Sequence, residues 1–266
     1  MIDGIKFHCS TYAKAKLFLI DHLSDEFKNV IRNNLSIISY GQSMVEEDDT
    51  GIYDYKNTLC EFLKRYDSKA DDTKKGMMGE LISNVLIRYY EGKLSCISVF
   101  FNKEERNIKK GYDIVYHSNE DNSIWYSEVK SGTNNSKKKP DDATRELLDR
   151  ANKDISDKFT EKRRTLWDSA IVDAGMVIND SKKSKNIKNL LSKDLLENIN
   201  LSKTRYKAVL ISVLFYDIQN VADHNVIVSY CQDIEKEKKF EDILVFSIQK
   251  NTYTEIEKFL RSENDC

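Results

Sequence analysis

The sequence contains 266 residues, of which 40% are hydrophobic and 32% are charged, and these proportions are typical of a globular protein with one sizeable core. The formal net charge is −2, which argues against a protein that binds nucleic acid tightly by itself, because such proteins usually carry a basic excess. No apolar segment approaches the roughly 20 residues of a membrane-spanning helix, and the N-terminal residues lack a secretory signal pattern. We therefore expect a cytoplasmic protein.

The cysteines and histidines show no spacing that is typical of a metal site. The five cysteines are scattered without a C-x-x-C motif, which argues against a zinc cluster and a disulfide framework and favours ordinary thiols. The sequence also lacks the glycine-rich motifs of ATP and dinucleotide sites and the G-x-S-x-G motif of serine hydrolases. Any ATP-driven step should therefore belong to a partner.

The first quarter of the chain carries no recognisable chemistry. Residues 1–10 are predicted to form a short strand or an extended arm, and residues 41–51 a loop. Apolar residues at helical spacing predict three helices, at residues 12–22, 26–40 and 53–66. We therefore divide the chain into an N-terminal helical region at residues 1–70 and an α/β domain at residues 71–266. The helical region could pack on the core or serve as a partner-docking lobe, and the sequence does not choose.

A helix ending at Tyr90 places one acidic side chain away from its apolar stripe. Glu80 is that side chain, and it follows Gly79, whose missing side chain would let the helix approach a neighbouring sheet closely. A helical glutamate is far more often solvated than catalytic. Glu80 becomes a candidate site residue through its place in the order of elements, before a strand predicted at residues 94–101 and the hairpin that follows.

The segment Gly111–Gly132, GYDIVYHSNEDNSIWYSEVKSG, predicts a β-hairpin. The period-2 alternation of strand side chains places Tyr112 with Ile114 on one face and Asp113 on the other. Pairing that is symmetric about a six-residue loop puts Asp113 directly opposite Glu128. The hairpin therefore predicts that two carboxylates meet.

Two opposed carboxylates destabilise a hairpin unless positive charge lies between them. Mg²⁺ suits that position because it prefers oxygen ligands and is commonly held by one or two carboxylates. Lys130 shares the face of Glu128 and adds a second positive centre, which gives the outline of a metal-assisted hydrolysis site. The alternative is a solvated hairpin face, since [DE]-x-K triplets arise often by chance in a chain with 44 acidic and 42 basic residues.

The order of these elements resembles a known enzyme family. The helix with Glu80, the GYDIV strand with Asp113 and the EVK strand with Glu128 and Lys130 are similar to the core of the PD-(D/E)XK nucleases. The M-G-E-L, G-Y-D-I-V and W-Y-S-E-V-K segments more narrowly resemble the C-terminal domain of the HamA nuclease subunits of Hachiman anti-phage defence systems, over roughly residues 70–250. Ser131-Gly132 depart from the resemblance, because a bulkier residue is expected after the lysine.

The resemblance implies a Mg²⁺-dependent deoxyribonuclease in which Mn²⁺ can substitute. Asp113, Glu128 and the backbone carbonyl of Val129 would hold the metal, with Glu80 completing the acidic cluster. Lys130 would orient the attacking water and offset charge on the phosphorane. The resemblance also implies a superfamily-2 helicase partner, similar to HamB, that loads on DNA and releases the nuclease.

A basic run follows the hairpin. Lys137, Lys138 and Lys139 lie shortly after Lys130, so they are the best candidates for contacts to nucleic-acid phosphates, and a solvated face is the alternative. Because the whole chain is not basic, we expect another subunit to supply most of the DNA binding.

The remaining pattern completes a mixed α/β fold. Residues 206–216 form a nearly continuous apolar run, as expected of a central strand covered on both faces. Residues 171–178 are ambiguous between strand and helix. The other predicted elements are helices at residues 141–167, 188–201 and 252–260 and strands at residues 226–231 and 243–249. The expected fold is a restriction-endonuclease-like core, with a central mixed sheet flanked by helices and an N-terminal helical extension.

The sequence thus predicts a metal-dependent nuclease that acts on DNA with a helicase partner. One alternative is a stand-alone restriction-type endonuclease that recognises its site unaided. Another is a nuclease fold that has lost catalysis and serves as a binding or regulatory subunit.

Overall fold

The computed structural model describes residues 1–9, 11–101, 111–134, 138–161, 163–201 and 205–264. Across these residues the strands are β1 (Ile5–Cys9), β2 (Ala15–Ile20), β3 (Leu94–Cys96), β4 (Ile114–Ser118), β5 (Ser123–Thr133), β6 (Lys207–Phe215) and β7 (Asp242–Lys250). The helices are α1 (Asp25–Tyr40), α2 (Gln42–Glu46), α3 (Tyr55–Asp67), α4 (Asp71–Tyr90), α5 (Pro140–Thr160), α6 (Arg164–Val177), α7 (Ser181–Ile199), α8 (His224–Glu237) and α9 (Thr254–Ser262). None of the helices in this part of the chain is long and apolar enough to cross a membrane.

One mixed sheet runs through the molecule in the order β1-β2-β7-β6-β5-β4-β3. The central strands β2, β7, β6 and β5 pair in parallel with one another. Strand β1 at one edge, and β4 and β3 at the other, pair antiparallel with their neighbours. Because β6 lies in the middle, almost all of its side chains are buried, which confirms the central strand predicted at residues 206–216. The mixed sheet flanked by helices confirms the predicted fold class.

Helices cover the sheet on both faces and form two cores. Helices α1, α3, α4 and α9 pack on one face, where β6 contributes Val209 and Ile211. Helices α5 to α8 pack on the other face, where β6 contributes Ala208 and Leu210. This alternation along one strand explains why the sequence of β6 is apolar at nearly every position.

Two predictions of secondary structure are wrong. Residues 12–22 were expected to be helical, but they contain β2, whose side chains alternate between the two cores, with Leu17 in one and Phe18 in the other. Residues 226–231 were expected to be a strand, but they lie in α8. The Asp223 side chain caps that helix, and its buried residues recur at helical spacing, so tertiary packing overrides the strand propensity of the β-branched residues.

Several boundaries also differ from the expectation. The helix predicted at residues 141–167 is divided into α5 and α6, and the ambiguous segment at residues 171–178 belongs to α6 except for its last residue. The strand predicted at residues 94–101 ends at Cys96, and the loop at residues 41–51 contains the short helix α2. The strand at residues 243–249 and the closing helix at residues 252–260 are confirmed as β7 and α9 within one or two residues.

The N-terminal region contributes strands as well as helices. Strands β1 and β2 belong to the same sheet as the rest of the chain, since β2 pairs with β7. The expected extension is therefore not purely helical. The division at residue 70 and the partner-docking role stay predictions. One cysteine expectation is wrong, because Cys60 is disulfide-bonded, whereas Cys9, Cys96 and Cys231 are free.

Candidate active site

The hairpin of β4 and β5 forms with the predicted register. Ile114 pairs with Ser127 and Val115 with Tyr126, so one further step along the chain places Asp113 opposite Glu128, as expected. Asp113 itself precedes the first residue of β4. The turn is shorter than predicted, because residues 118 and 123 still pair with each other.

The predicted face of Tyr112 is wrong. Its ring packs against Tyr126 and Trp167, in the core that also contains Val115. The strict alternation of faces begins only at Ile114, because residues 111–113 are not part of the strand. Asp113 is held instead by a hydrogen bond, since its Oδ2 atom accepts from the backbone N–H of Val129 at 2.7 Å.

Strand β5 supplies Glu128 and Lys130 on the face covered by α5. The Lys130 ammonium donates to Oε1 of Glu128 at 2.7 Å and forms an ion pair with Oδ2 of Asp154, on α5, at 2.6 Å. Glu128 is only 2% exposed. The strand therefore presents a buried carboxylate and a neighbouring ammonium that is held from two sides.

A second lysine lies between the two carboxylates. Lys158, in the last turn of α5, donates from Nζ to Oε2 of Glu128 at 2.5 Å and to the carbonyl oxygen of Gly111 at 2.8 Å. The same Nζ lies 3.9 Å from Oδ1 of Asp113. Lys158 and Asp154 were not among the residues expected at the site. Their signal was a four-residue spacing, which places both beside the apolar stripe of α5 and one turn apart.

Glu80 reaches the site from α4, on the opposite face of the sheet. A Cβ atom on Gly79 would lie 2.9 Å from Cβ of Ser131 and closer still to its Oγ atom, so α4 packs directly on β5, as the sequence predicted. A Cβ on Gly132 would lie 3.0 Å from Cδ2 of Leu147, on α5. Small residues at positions 131 and 132 therefore match the close helices on both sides of β5, which explains the departure from the resemblance.

Two acidic side chains of the site, Glu128 and Glu80, resist ionisation. Burial, reinforced by the charge of Asp113 and opposed by Lys158 and Lys130, raises the pKa of Glu128 to about 7. Burial and then the charges of Asp113 and Glu128 raise the pKa of Glu80 well above its ordinary value. These effects place Glu80 within the same electrostatic cluster. The structure thus brings Asp113, Glu128 and Lys130 together on neighbouring parts of the hairpin, and Glu80 interacts with them through its charge.

The site suits a hard cation through its donor chemistry. The charge of Asp113 helps to raise the pKa of Glu128, so a cation that binds between the two carboxylates relieves this repulsion, and oxygen ligands are those that Mg²⁺ prefers. Over the described residues, however, no group of three or more His, Cys, Asp or Glu side chains is arranged to hold a metal ion. Asp113 and Glu128 are the pair that fits, with the Lys158 ammonium against both.

The predicted nucleic-acid contacts lie beside the site's helix. Lys138 and Lys139 are exposed immediately before α5, and Lys138 forms an ion pair with Glu146 at 2.6 Å. Lys137 lies outside the described residues. Exposed ion pairs contribute little to stability, so Lys138 can exchange its partner at little cost.

A comparison with curated proteins gave no match. A comparison with protein families matched the HamA model over residues 3–263. The match extends beyond the resemblance at residues 70–250 and includes the N-terminal strands that complete the sheet. The chain therefore belongs to the HamA family and is a component of Hachiman anti-phage defence.

Proposed function

We propose that the chain is a metal-dependent DNA nuclease, the effector subunit of a Hachiman system that works with a helicase partner in the cytoplasm. The observation that carries this proposal is the convergence of Asp113, Glu128 and Lys130 where the start of β4 meets the middle of β5, with Glu80 of α4 acting on them through its charge. Two carboxylates and a lysine in this arrangement are suited to phosphodiester hydrolysis.

Asp113 and Glu128 would hold Mg²⁺ or Mn²⁺, together with the backbone carbonyl of Val129, and Glu80 would complete the acidic cluster. The bound ion would lower the pKa of a water molecule and polarise the scissile phosphate. The Asp113 carboxylate is already oriented for this role. Its Oδ2 atom accepts a hydrogen bond from the Val129 N–H, and its Oδ1 atom faces Lys158, which also contacts Glu128.

Lys130 would act as a fixed cation and not as a base. Burial lowers the pKa of Lys130. The charge of Glu128 and the hydrogen bonds to Asp154 and Glu128 outweigh this effect and raise the pKa above its ordinary value. The side chain therefore stays protonated at neutral pH. A protonated Lys130 can orient the attacking water and offset the charge of the phosphorane.

DNA binding would be shared between two subunits. Lys138 and Lys139, with Lys137, would contact phosphates next to the site, whereas the net charge of −2 leaves little general attraction to DNA. A helicase that loads on DNA and releases the nuclease would supply the rest. Co-purification of a helicase with the tagged chain from its native host would support this pairing.

A plasmid-cleavage assay tests the proposal. Supercoiled DNA, with and without the helicase, is incubated with the protein in Mg²⁺ or in EDTA, with Glu128→Ala as the inactive control. We expect nicking or linearisation only in Mg²⁺ and only with an intact Glu128. Discrete, sequence-specific fragments from the lone chain would favour a restriction-type endonuclease, and intact plasmid under every condition would favour a silent regulatory subunit.

A further inference from the structure

Lys158 occupies the space that a metal ion between Asp113 and Glu128 would need. Its Nζ atom lies 2.5 Å from Glu128 Oε2 and 3.9 Å from Asp113 Oδ1. A cation that contacts both carboxylates at coordination distance would have to share this space. The lysine and the metal therefore compete for the same negative charges.

The position of Lys158 is fixed by the packing of its helix on the hydrophobic core. Its helix α5 is anchored by Ala151 and Ile155, which are fully buried against the sheet. One turn before Lys158, Asp154 holds Lys130 at 2.6 Å. Helix α5 thus supplies one carboxylate and one ammonium group, which pair with the ammonium group and the carboxylate of β5.

The buried carboxylate needs such a counter-ion. Glu128 is 2% exposed, and a buried charge without a partner is strongly destabilising. The Lys158 side chain is 20% exposed, so its flexible stem can carry the ammonium toward solvent without a movement of the helix.

We propose that Lys158 is the built-in counter-ion of the Asp113–Glu128 pair in the metal-free protein, and that a divalent cation enters the site by displacing its ammonium from Glu128. This inference rests on the metal-binding role of the two carboxylates in the proposed function. It makes Lys158 a positioning residue that keeps the carboxylates together and sets the metal concentration at which the site fills.

The first test is calorimetric titration of the full chain with Ca²⁺ in the absence of DNA. We expect Lys158→Gln to bind Ca²⁺ at least about tenfold more tightly than the wild type, because a competing charge at contact distance is removed. Lys153→Gln, an exposed position on the same helix, should bind within about twofold of the wild type. Lys130→Gln should show a smaller gain than Lys158→Gln. Unchanged or weaker binding by Lys158→Gln would overturn the proposal.

The second test separates displacement from an ordinary structural role. We expect Lys158→Gln to have a lower melting temperature than the wild type in EDTA and an equal one in saturating Ca²⁺, since the ion replaces the lost charge. A lysine with only a structural role would give the same loss in both conditions, and that result would contradict displacement.

Asp113→Asn distinguishes this proposal from the proposed function. We expect this variant to lose Ca²⁺ binding, and Ca²⁺ binding equal to that of the wild type would place the ion elsewhere and overturn the inference. If the wild type and the variants bind Ca²⁺ as expected but the wild type does not cleave DNA, the inference stands and the proposed nuclease activity is rejected. Metal-dependent cleavage without tighter binding by Lys158→Gln would reject the inference alone.

Discussion

Gly79 of α4 lies directly over Ser131 of β5, and the space between them does not admit a methyl group. The Cβ atom of an alanine at position 79 would overlap the Ser131 side chain and would approach Cβ of Val213 to 3.4 Å. Because Glu80 is the next residue, this contact also fixes the height of Glu80 above the sheet. The packing of one glycine is therefore coupled to the geometry of the site.

Gly79→Ala should destabilise the protein by about 1–3 kcal/mol, because it forces α4 away from β5. Chemical denaturation gives the free energy of unfolding, and plasmid cleavage should fall with it. Gly76→Ala is the matched control, because a Cβ at Gly76 meets nothing within 4 Å and alanine favours the helix by about 0.5–1 kcal/mol. Adding Ser131→Gly to Gly79→Ala should restore part of the loss, and a strictly additive double variant would rule out this contact as the cause.

The stability of the metal-free protein should depend on the ionisation of Glu128. Burial, and then Asp113, raise its pKa from the ordinary 4.5 to about 7, so the folded chain holds the proton to a higher pH than the unfolded chain. The tighter binding of this proton by the folded chain adds to the free energy of unfolding. The added stability is fully present below pH 4.5 and is lost as the pH rises through 7. We expect the wild type to lose about 3 kcal/mol relative to Glu128→Gln across that window.

Denaturation of both proteins in EDTA at a series of pH values measures this effect. Glu128→Gln cannot ionise, so the comparison cancels the titration of distant groups. A stability difference that does not change with pH would show that the Glu128 carboxyl titrates as an ordinary exposed acid.

Lys130→Ala should lower the cleavage rate by about 10²–10³-fold while leaving the protein folded, because it removes one charge that stabilises the transition state. Asp154→Asn should lower the rate by about tenfold, since Asp154 only orients Lys130. The rates are measured at saturating Mg²⁺, with Lys153→Ala as the folded, exposed control. Wild-type activity in Lys130→Ala would remove Lys130 from the mechanism.

Glu80→Gln should raise the stability of the metal-free protein and lower the rate of DNA cleavage. Desolvation, and then the charges of Asp113 and Glu128, oppose the ionisation of Glu80, so a neutral side chain of the same size should stabilise the metal-free protein by about 1 kcal/mol. The same variant should cleave DNA more slowly, because the acidic cluster loses a member. Thermal melting in EDTA and cleavage in Mg²⁺ report the two effects, and a less stable variant would show that Glu80 is needed as a hydrogen-bonding carboxylate.

The hairpin could be predicted from the sequence because its information is local. Strand periodicity and a short turn fix the register, so the meeting of Asp113 with Glu128 follows from sequence spacing alone. The same reasoning was wrong for Tyr112, where the chain leaves the strand. It was also wrong for residues 12–22 and 226–231, where burial on both sides or helix capping decided the structure.

The contribution of α5 could not be predicted in the same way. Asp154 and Lys158 meet Lys130 and Glu128 only because the helix packs across β5, and that crossing depends on Gly132 and Leu147 in three dimensions. A helical wheel would show the two charged residues beside the apolar stripe, but it does not show which strand lies beneath them. Charge complementarity between a helix and an E-x-K strand is a signal that could be sought in related sequences.

The pairing of β2 with β7 has a consequence for the synthesis of the protein. The two strands are neighbours in the sheet, yet every helix from α1 to α8 and four other strands lie between them along the chain. Contacts between such distant segments form slowly, and on the ribosome β2 must wait for nearly the whole remaining chain to emerge. A nascent chain stopped before β7 would expose the apolar edge of β6, so a prematurely terminated copy should be cleared by proteases before it can accumulate.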